Sequence, residues 1–306
     1  MNSADIKTSE NGTPKGFILD VFRGVAIGIA FIIPGFSGGS VAAILGIYER
    51  LVGAIADLFK NFLGSIKTLL PIGLGMIIGI SSLLFPLGWA LGAYPLPTVC
   101  LFVGLAVGGL PSITERLFGR VRWENLTALF IPLFLAAALS FLPIGADVNL
   151  FELNFGGYLL LVIVGFVASA ALVVPGISGS MLMLIFGYYN PIVNMITHHL
   201  FRGNDVGTSL LVLGATALGI GSGFIVISVI MKFLLKNYPR GTYFAILGFI
   251  LGSIPTIYVS TAKEAGYTLS TLPHSVWHWI FCVLFLLIGL TVSLSLVKLS
   301  RKLNKK

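Results

Sequence analysis

Apolar runs long enough to cross a bilayer, about 17 to 25 residues each, recur at 69–91, 96–113, 126–142, 208–231, 243–259 and 277–297. A chain built this way cannot hide its apolar surface inside one water-facing globule. With 57% of its 306 residues hydrophobic and 10% charged, it reads as an integral membrane protein. Backbone polar groups must be satisfied within hydrocarbon, so only helices and closed barrels span it. Barrel strands would show short alternating segments, whereas these runs are continuous and rich in Gly and Pro. The expected fold is all-α and polytopic. Residues 1–16 form a polar tail without the charged start, short apolar core and small-residue cleavage site of a leader, and 298–306 form a basic tail.

Two further apolar regions, 17–58 and 156–197, are each interrupted by the same signature, "PGFSGGS" at 34–40 and "PGISGS" at 175–180. Each region is either a hairpin of two helix-length pieces or one broken span. Lysines and arginines test the choice, because they concentrate in cytoplasmic loops. If both regions are hairpins and the N-terminus is cytoplasmic, fifteen cations fall inside: Lys7, Lys15, Lys60, Lys67, Arg116, Arg120, Arg122, Lys232, Lys236, Arg240, Lys298, Arg301, Lys302, Lys305 and Lys306. Only Arg202 and Lys263 fall outside. That asymmetry favours hairpins and both termini in the cytoplasm. It also accounts for the net charge of +8 without any nucleic-acid partner, since inner loops and anionic headgroups select positive charge.

The signature belongs to a longer duplication. Pro34, Gly35, Ser37, Gly38, Gly46 and Tyr48 match Pro175, Gly176, Ser178, Gly179, Gly187 and Tyr189 at a spacing of 141, and "YPLPTVCLFVGLAVGGLPSI" (94–113) matches "YPRGTYFAILGFILGSIPTI" (238–257) at a spacing of 144. This defines repeat 1 as 17–142 and repeat 2 as 156–297. Three spans, an odd number, separate the two signatures, so the repeats are expected to be inverted. Each is expected to be a Pro-Gly-x-Ser-Gly-broken helical hairpin plus three transmembrane helices. Secondary transporters use this design, holding substrate near the midplane on broken helices.

Irregular backbone at bilayer depth must be buried in protein or line a wet cavity. Proline ends one helix, glycine lets the chain turn, and serine caps the next helix, near Ser37 or Ser40 and near Ser178 or Ser180. The expected product is a helix start with N–H groups and hydroxyls aimed at an anion. Arg23 and Arg50, the two cations within the first split region, would add full charge. The candidate substrate site is therefore Arg23, Ser37, Gly38, Gly39, Ser40, Arg50, Ser178, Gly179 and Ser180. The bland alternative is that small residues merely let helices pack closely. Two copies beside buried charge favour a site. Glu49 is a candidate coupling group, because ionisable residues at such depth are usually functional, with an interfacial Glu49–Arg50 pair as the alternative. The repeat sets Asn190 and Pro191 opposite Glu49 and Arg50, and Val164 opposite Arg23.

Other polar residues point to ordinary roles. His274 and His278 flank Trp277 and Trp279 in what reads as an interfacial aromatic belt. His198, His199 and Asp205 read as an outer loop. Cys100 and Cys282 read as packing residues. No phosphate-binding loop, metal-ligand spacing or nucleophile–base–acid set is present, so an enzyme is not expected.

"IIPGFSGGSVAAILGIYERL" and "VVPGISGSMLMLIFGYYNPI" together resemble the bacterial polyprenyl-phosphate transporters, and the resemblance runs from about Phe17 to the last span. It implies movement of undecaprenyl phosphate, the carrier of cell-wall building blocks, from the outer to the cytoplasmic leaflet. It implies roles for Pro34 to Ser40, Tyr48, Glu49, Arg50 and Pro175 to Ser180. Met181 stands where the first signature has Ser40, a departure that removes one hydroxyl. The physics suits such a substrate: the headgroup needs shielding while the tail stays in lipid. One negative charge moved inward against 100 mV costs about 2.3 kcal/mol, which calls for a lipid gradient or a coupled H+ or Na+. No other cofactor is implied, and oligomeric state is not set by the sequence. The alternative reading is a small-anion channel or exchanger; a membrane enzyme acting on a lipid phosphate is a third.

Overall fold

The computed structural model describes residues 14–32, 37–117, 121–139, 141–142, 145–176, 179–200, 205–264 and 276–304. Among them every regular element is helical: α1 (Pro14–Ile32), α2 (Gly38–Ile44), α3 (Tyr48–Ala56), α4 (Phe62–Ala93), α5 (Pro95–Thr114), α6 (Trp123–Leu139), α7 (Phe155–Val173), α8 (Gly179–Ile185), α9 (Tyr189–Asn194), α10 (Val206–Asn237), α11 (Pro239–Glu264) and α12 (Val276–Asn304). The six apolar runs coincide with α4, α5, α6, α10, α11 and α12. Phe62–Leu83, Pro95–Thr114, Val206–Asn237 and Val276–Lys298 are long and apolar enough to cross a membrane. At 32 residues α4 and α10 are about 48 Å long, more than the roughly 30 Å of hydrocarbon they would cross. α12 carries on through the basic segment to Asn304.

One corner is built twice. Tyr94 ends α4 and Tyr238 ends α10, both with backbone outside the helical range (φ −137°, ψ 59° and φ −131°, ψ 49°). Proline then opens the next helix, where its missing N–H costs nothing. The Thr98 hydroxyl donates to the Tyr94 carbonyl at 2.7 Å, and the Thr242 hydroxyl to the Tyr238 carbonyl at 2.8 Å. The repeated Tyr-Pro-x-x-Thr is thus a one-residue link between long helices.

Glycines set which helices pair. A Cβ on Gly75 would lie 2.0 Å from the Val21 carbonyl oxygen, and one on Gly79 2.3 Å from that of Val25. The contact advances four residues on both helices, so α1 and α4 run parallel at backbone contact. The same step recurs for Gly219 and Gly223 against Val162 and Phe166 (α10 on α7), Gly104 and Gly108 against Leu286 and Leu290 (α5 on α12), and Gly248 and Gly252 against Leu129 and Leu133 (α11 on α6). Each of the four pairs uses a Gly-x-x-x-Gly face, the pattern by which membrane helices gain dispersion contact and close backbone approach. Two of these pairs, α5 with α12 and α6 with α11, cross between the halves of the chain. Cys100 and Cys282, read as packing residues, face one another on α5 and α12 with free thiols in hydrogen-bonding reach.

The broken regions depart from the expectation of two helix-length pieces. After each signature the returning limb is itself broken: α2 and α3 are separated at Gly46 (φ +70°), and α8 and α9 at Gly187 (φ +75°). The Ile47 N–H reaches back to Ala42 at 3.0 Å, and the Tyr188 N–H to Met183 at 2.9 Å, the same bond 141 residues on. Left-handed φ at these two points suits glycine alone. The environments differ, however. The Gly187 turn is covered by segment 145–150, where Val148 N–H donates to the Gly187 carbonyl at 3.0 Å, whereas Gly46 is exposed. α3 lies along α10, while α9 makes no comparable contact with α4 among the described residues. His198 and His199, expected in an outer loop, instead lie in a π-helical turn, Met195–Leu200, that continues α9, with the His199 ring edge-on to Phe151 at 4.7 Å. Asp205 starts α10 at φ +51°. His278 lies in the first turn of α12 beside exposed Trp277 and Trp279, and His274 lies outside the described residues.

Candidate functional site

At the first break, Ser37 is the cap. Its backbone is extended (φ −98°, ψ 134°), its Oγ accepts from Gly39 N–H at 3.2 Å, and its carbonyl accepts from Ser40 N–H at 2.9 Å. Ser40, the other candidate, is buried one turn inside α2. The glycines are set by crowding: a Cβ on Gly38 would lie 2.4 Å from the Phe31 ring. Pro34 and Gly35 lie outside the described residues.

The two broken regions touch here. Ser37 Oγ donates to the Ala171 carbonyl at 3.4 Å, and Tyr48 Oη to the Val173 carbonyl at 2.9 Å. A Cβ on Gly39 would lie 3.2 Å from the Val173 carbonyl oxygen and 3.5 Å from Pro175 Cα. The start of α2 therefore meets the carbonyl end of α7, just before the second signature. That signature packs against α11: Gly176 (φ +91°) leaves no room for a Cβ, which would lie 2.5 Å from the Phe249 carbonyl carbon. Gly179 opens α8; Ser178 lies outside the described residues, and Ser180 contributes backbone to α8, its side chain lying outside them. α2 and α8 are seven residues long, so their dipoles are small, and the Gly39, Ser40 and Val41 N–H groups at the first break already have partners. Charge for an anion must come from elsewhere.

Full positive charge near the first broken region lies on Arg23 and Arg50. These two side chains, far apart in sequence, converge on a single oxygen: Asp20 Oδ1 accepts from Arg23 Nη1 at 3.0 Å and from Arg50 Nη2 at 2.5 Å. Asp20 and Arg23 side chains are 6% and 11% exposed, and Arg50 is 27% exposed. The triad joins α1 to α3, the outgoing and returning limbs of the first broken region. Asp20 precedes the end of α1 by twelve residues, about 18 Å along the axis, so the arginine pair and the touching breaks lie at different depths.

Glu49 points away from the arginines. Its Oε1 accepts from Arg116 Nη1 at 2.9 Å and from Tyr243 Oη at 2.5 Å, and the Arg116 guanidinium stacks over the Tyr243 ring at 5.2 Å. The end of α5 therefore meets the start of α11. Two further ion pairs belong to the same helix ends: Lys232 of α10 with Asp57 after α3, and Arg301 of α12 with Glu115 after α5. α3 is thus tied to α1 by Arg50, to α5 and α11 by Glu49 and to α10 by Asp57. Asp20, Arg116 and Tyr243 were not among the residues singled out from sequence. Asp20 had a readable signal, a carboxylate three residues before Arg23 in an apolar run.

Comparison with known proteins gives this arrangement its context. A polyprenyl-phosphate transporter of Staphylococcus aureus (strain NCTC 8325 / PS 47) is 28% identical over 301 residues, 92% of this chain and 96% of that protein. A polyprenyl-phosphate transporter of Vibrio cholerae serotype O1 (strain ATCC 39315 / El Tor Inaba N16961) is 25% identical over 328 residues, 95% of this chain and 99% of that protein. No solved structure matches the chain. Residues 27–272 match the family described as undecaprenyl phosphate translocase-like. With most of its length inside that match, the chain belongs to the undecaprenyl phosphate translocase-like family.

Proposed function

We propose that this protein moves polyprenyl phosphate, in the form of undecaprenyl phosphate, from the outer to the cytoplasmic leaflet of a bacterial cell membrane. The observation that carries the reading is the pair of largely buried guanidiniums, Arg23 and Arg50, held on one oxygen in a chain whose relatives are named polyprenyl-phosphate transporters. Two guanidiniums that share one carboxylate oxygen are spaced to share a phosphate oxygen. Ser37, Gly38, Gly39 and Ser40 sit where the first break meets the end of α7, and this meeting of the two broken regions, with Ser178, Gly179 and Ser180 following in the second signature, is the proposed crossing point for the headgroup. The headgroup passes this point and reaches the arginines, while the tail stays in lipid.

The halves act as inverted repeats. Helix directions support this: α4 runs with α1, the Tyr94 corner turns back into α5, α5 ends where α11 starts, the Tyr238 corner relates α11 to α10, and α10 runs with α7. Following those steps, α7 opposes α1. The unequal seating of α3 and α9 supports a conformation closed at the end where α3 is tied, the cytoplasmic end by charge distribution.

The test is reconstitution. Proteoliposomes containing the full chain are expected to move farnesyl phosphate or undecaprenyl phosphate between leaflets above the rate of empty vesicles. Halide flux without lipid movement would favour the small-anion channel, and release of inorganic phosphate would favour an enzyme. Either result would overturn the proposal.

Glu49 is the proposed coupling group for H+ or Na+. The charged and titratable groups around it are Arg116 from the end of α5, Tyr243 from α11 and its neighbour Arg50. Neutralising Glu49 releases Arg116 and loosens α3 from α5 and α11, so ion uptake opens the tied end. A Glu49→Gln chain is expected to lose the dependence of transport on the pH or Na+ gradient while still binding lipid phosphate. Gradient dependence equal to the parent's would remove Glu49 from this role.

A further inference from the structure

We infer that Asp20 is a positioning residue for the headgroup: a resident carboxylate that aligns Arg23 and Arg50 in the empty site and gives them up to the incoming phosphate. The inference rests on the transporter reading above.

Three observations carry it. One oxygen of Asp20 is shared by both guanidiniums, at 3.0 and 2.5 Å, the position a phosphate oxygen would take between them. Burial of the carboxylate is nearly complete, at 6% side-chain exposure, so the arrangement is internal rather than a solvated surface pair. The third is a comparison within the chain. At the spacing of 141, Asp20, Arg23 and Arg50 correspond to Leu161, Val164 and Pro191. Leu161 and Val164 are 0% and 4% exposed and pack in one apolar cluster with Tyr188 and Ile192. The second half thus fills these positions with hydrocarbon, and its returning limb still makes the same glycine turn. Buried ion triads are commonly no more stable than apolar side chains of similar size. Folding does not explain why the first half keeps three ions there; anion handling does.

A headgroup and Asp20 compete for the same N–H groups. Asp20 therefore keeps the guanidiniums oriented before binding and limits how tightly the headgroup is held, which a carrier requires for release. Because Asp20 is on α1 and Arg50 on α3, transfer of Arg50 to phosphate also releases that tie between the two limbs, leaving α3 held by Tyr48, Glu49 and Asp57. Headgroup arrival and loosening of α3 are one event.

The experiment uses farnesyl phosphate as probe, with binding to detergent-purified full chain and transbilayer movement in proteoliposomes measured on the same preparations. For Asp20→Asn, removal of the competitor is expected to tighten binding about tenfold while the maximal transport rate falls about tenfold, so KM and kcat drop together. Asp20→Glu restores the competing charge and is expected to recover at least half of the lost rate. Weaker or unchanged binding by Asp20→Asn, with the parent still binding, overturns this inference and leaves the transporter reading standing. No binding or movement by the parent overturns the transporter reading, and this inference with it. Should Asp20→Asn elute aggregated, Asp20→Glu carries the test: a rate below a tenth of the parent's in a monodisperse protein shows that charge competition is not the role, and overturns it.

Discussion

Arg50→Ala is expected to abolish most transport of lipid phosphate, lowering the rate on the order of 100-fold, while leaving a folded protein. Removing one charged partner from a largely buried, hydrogen-bonded set typically costs about 2 to 5 kcal/mol in affinity, and each 1.4 kcal/mol is about tenfold. Arg50 is 27% exposed, so the lower part of that range applies. Two losses coincide in this variant. The headgroup loses one of its two guanidiniums, and α3 loses its tie to α1 through Asp20. Folding survives because α3 keeps Tyr48 on Val173, Glu49 on Arg116 and Tyr243, and Asp57 on Lys232. Arg50→Lys retains the charge but not the planar fork, and falls between parent and Ala. Lys60→Ala, exposed beyond the end of α3, transports at the parental rate. The readout is transbilayer movement of farnesyl phosphate in proteoliposomes at matched protein content. A parental rate for Arg50→Ala would show that the arginine pair is not on the headgroup's path.

Much of the architecture was legible in the sequence because bilayer thickness and backbone satisfaction act locally. Apolar runs located the long helices, although α4, α10 and α12 extend six or seven residues beyond them at one end, and Tyr-Pro-x-x-Thr at 94 and 238 marked a corner the structure builds twice. The second break in each returning limb was also written there, since Gly46 and Tyr48 recur as Gly187 and Tyr189; spacing alone did not reveal that the glycines adopt positive φ. Helix pairing was half legible. Gly75 and Gly79 recur as Gly219 and Gly223, and Gly104 and Gly108 as Gly248 and Gly252, each pair 144 residues apart. A glycine face says that something packs closely, not which helix does. The cross-pairing of α5 with α12 and α6 with α11 is a tertiary choice.

The site was less legible for a related reason. Arg23 and Arg50 stand out as cations in apolar surroundings, but their partner does not, because lysine and arginine carry the inside–outside bias and a carboxylate adds little to it. Glu49 stood out too, yet its partners lie 67 and 194 residues away, and one sequence carries no signal for a contact at that distance. The serine and glycine signature drew attention as an anion site by its own N–H groups. The structure adds a packing role for Ser37 and Gly39. Ser37 caps α2, Gly39 seats it against α7, and the paired charges lie on α1 and α3, with Asp20 about 18 Å along the axis from the end of α1.

Gly75→Val should be among the most damaging single changes to the fold, and Gly73→Val, two residues away on the same helix, should be harmless. A Cβ at 75 would lie 2.0 Å from the Val21 carbonyl oxygen and 2.8 Å from the Val25 amide nitrogen; at 73 nothing lies within 4 Å. Obstructing atoms at 75 are backbone, so no side-chain rotation relieves the overlap, and α1 and α4 must separate along their whole contact. Overpacking ordinarily costs about 1 to 3 kcal/mol, and the rigid case belongs at or above the top of that range. In a bilayer the loss is not offset by any hydrophobic drive between helices, because lipid tails are as apolar as the side chains they replace. The other half supplies an internal replicate: at 219 a Cβ would lie 2.3 Å from the Val162 carbonyl oxygen, and at 221 nothing lies within 4 Å. Monodisperse yield and thermal midpoint in detergent are the measurements. Val at 75 or 219 should leave little folded protein or lower the midpoint by many degrees, with Val at 73 and 221 matching the parent. Equal stability of all four variants would show that these helix pairs do not meet through their glycine faces. The helix directions derived from those faces, and the inversion of the halves that depends on them, would then lose their support.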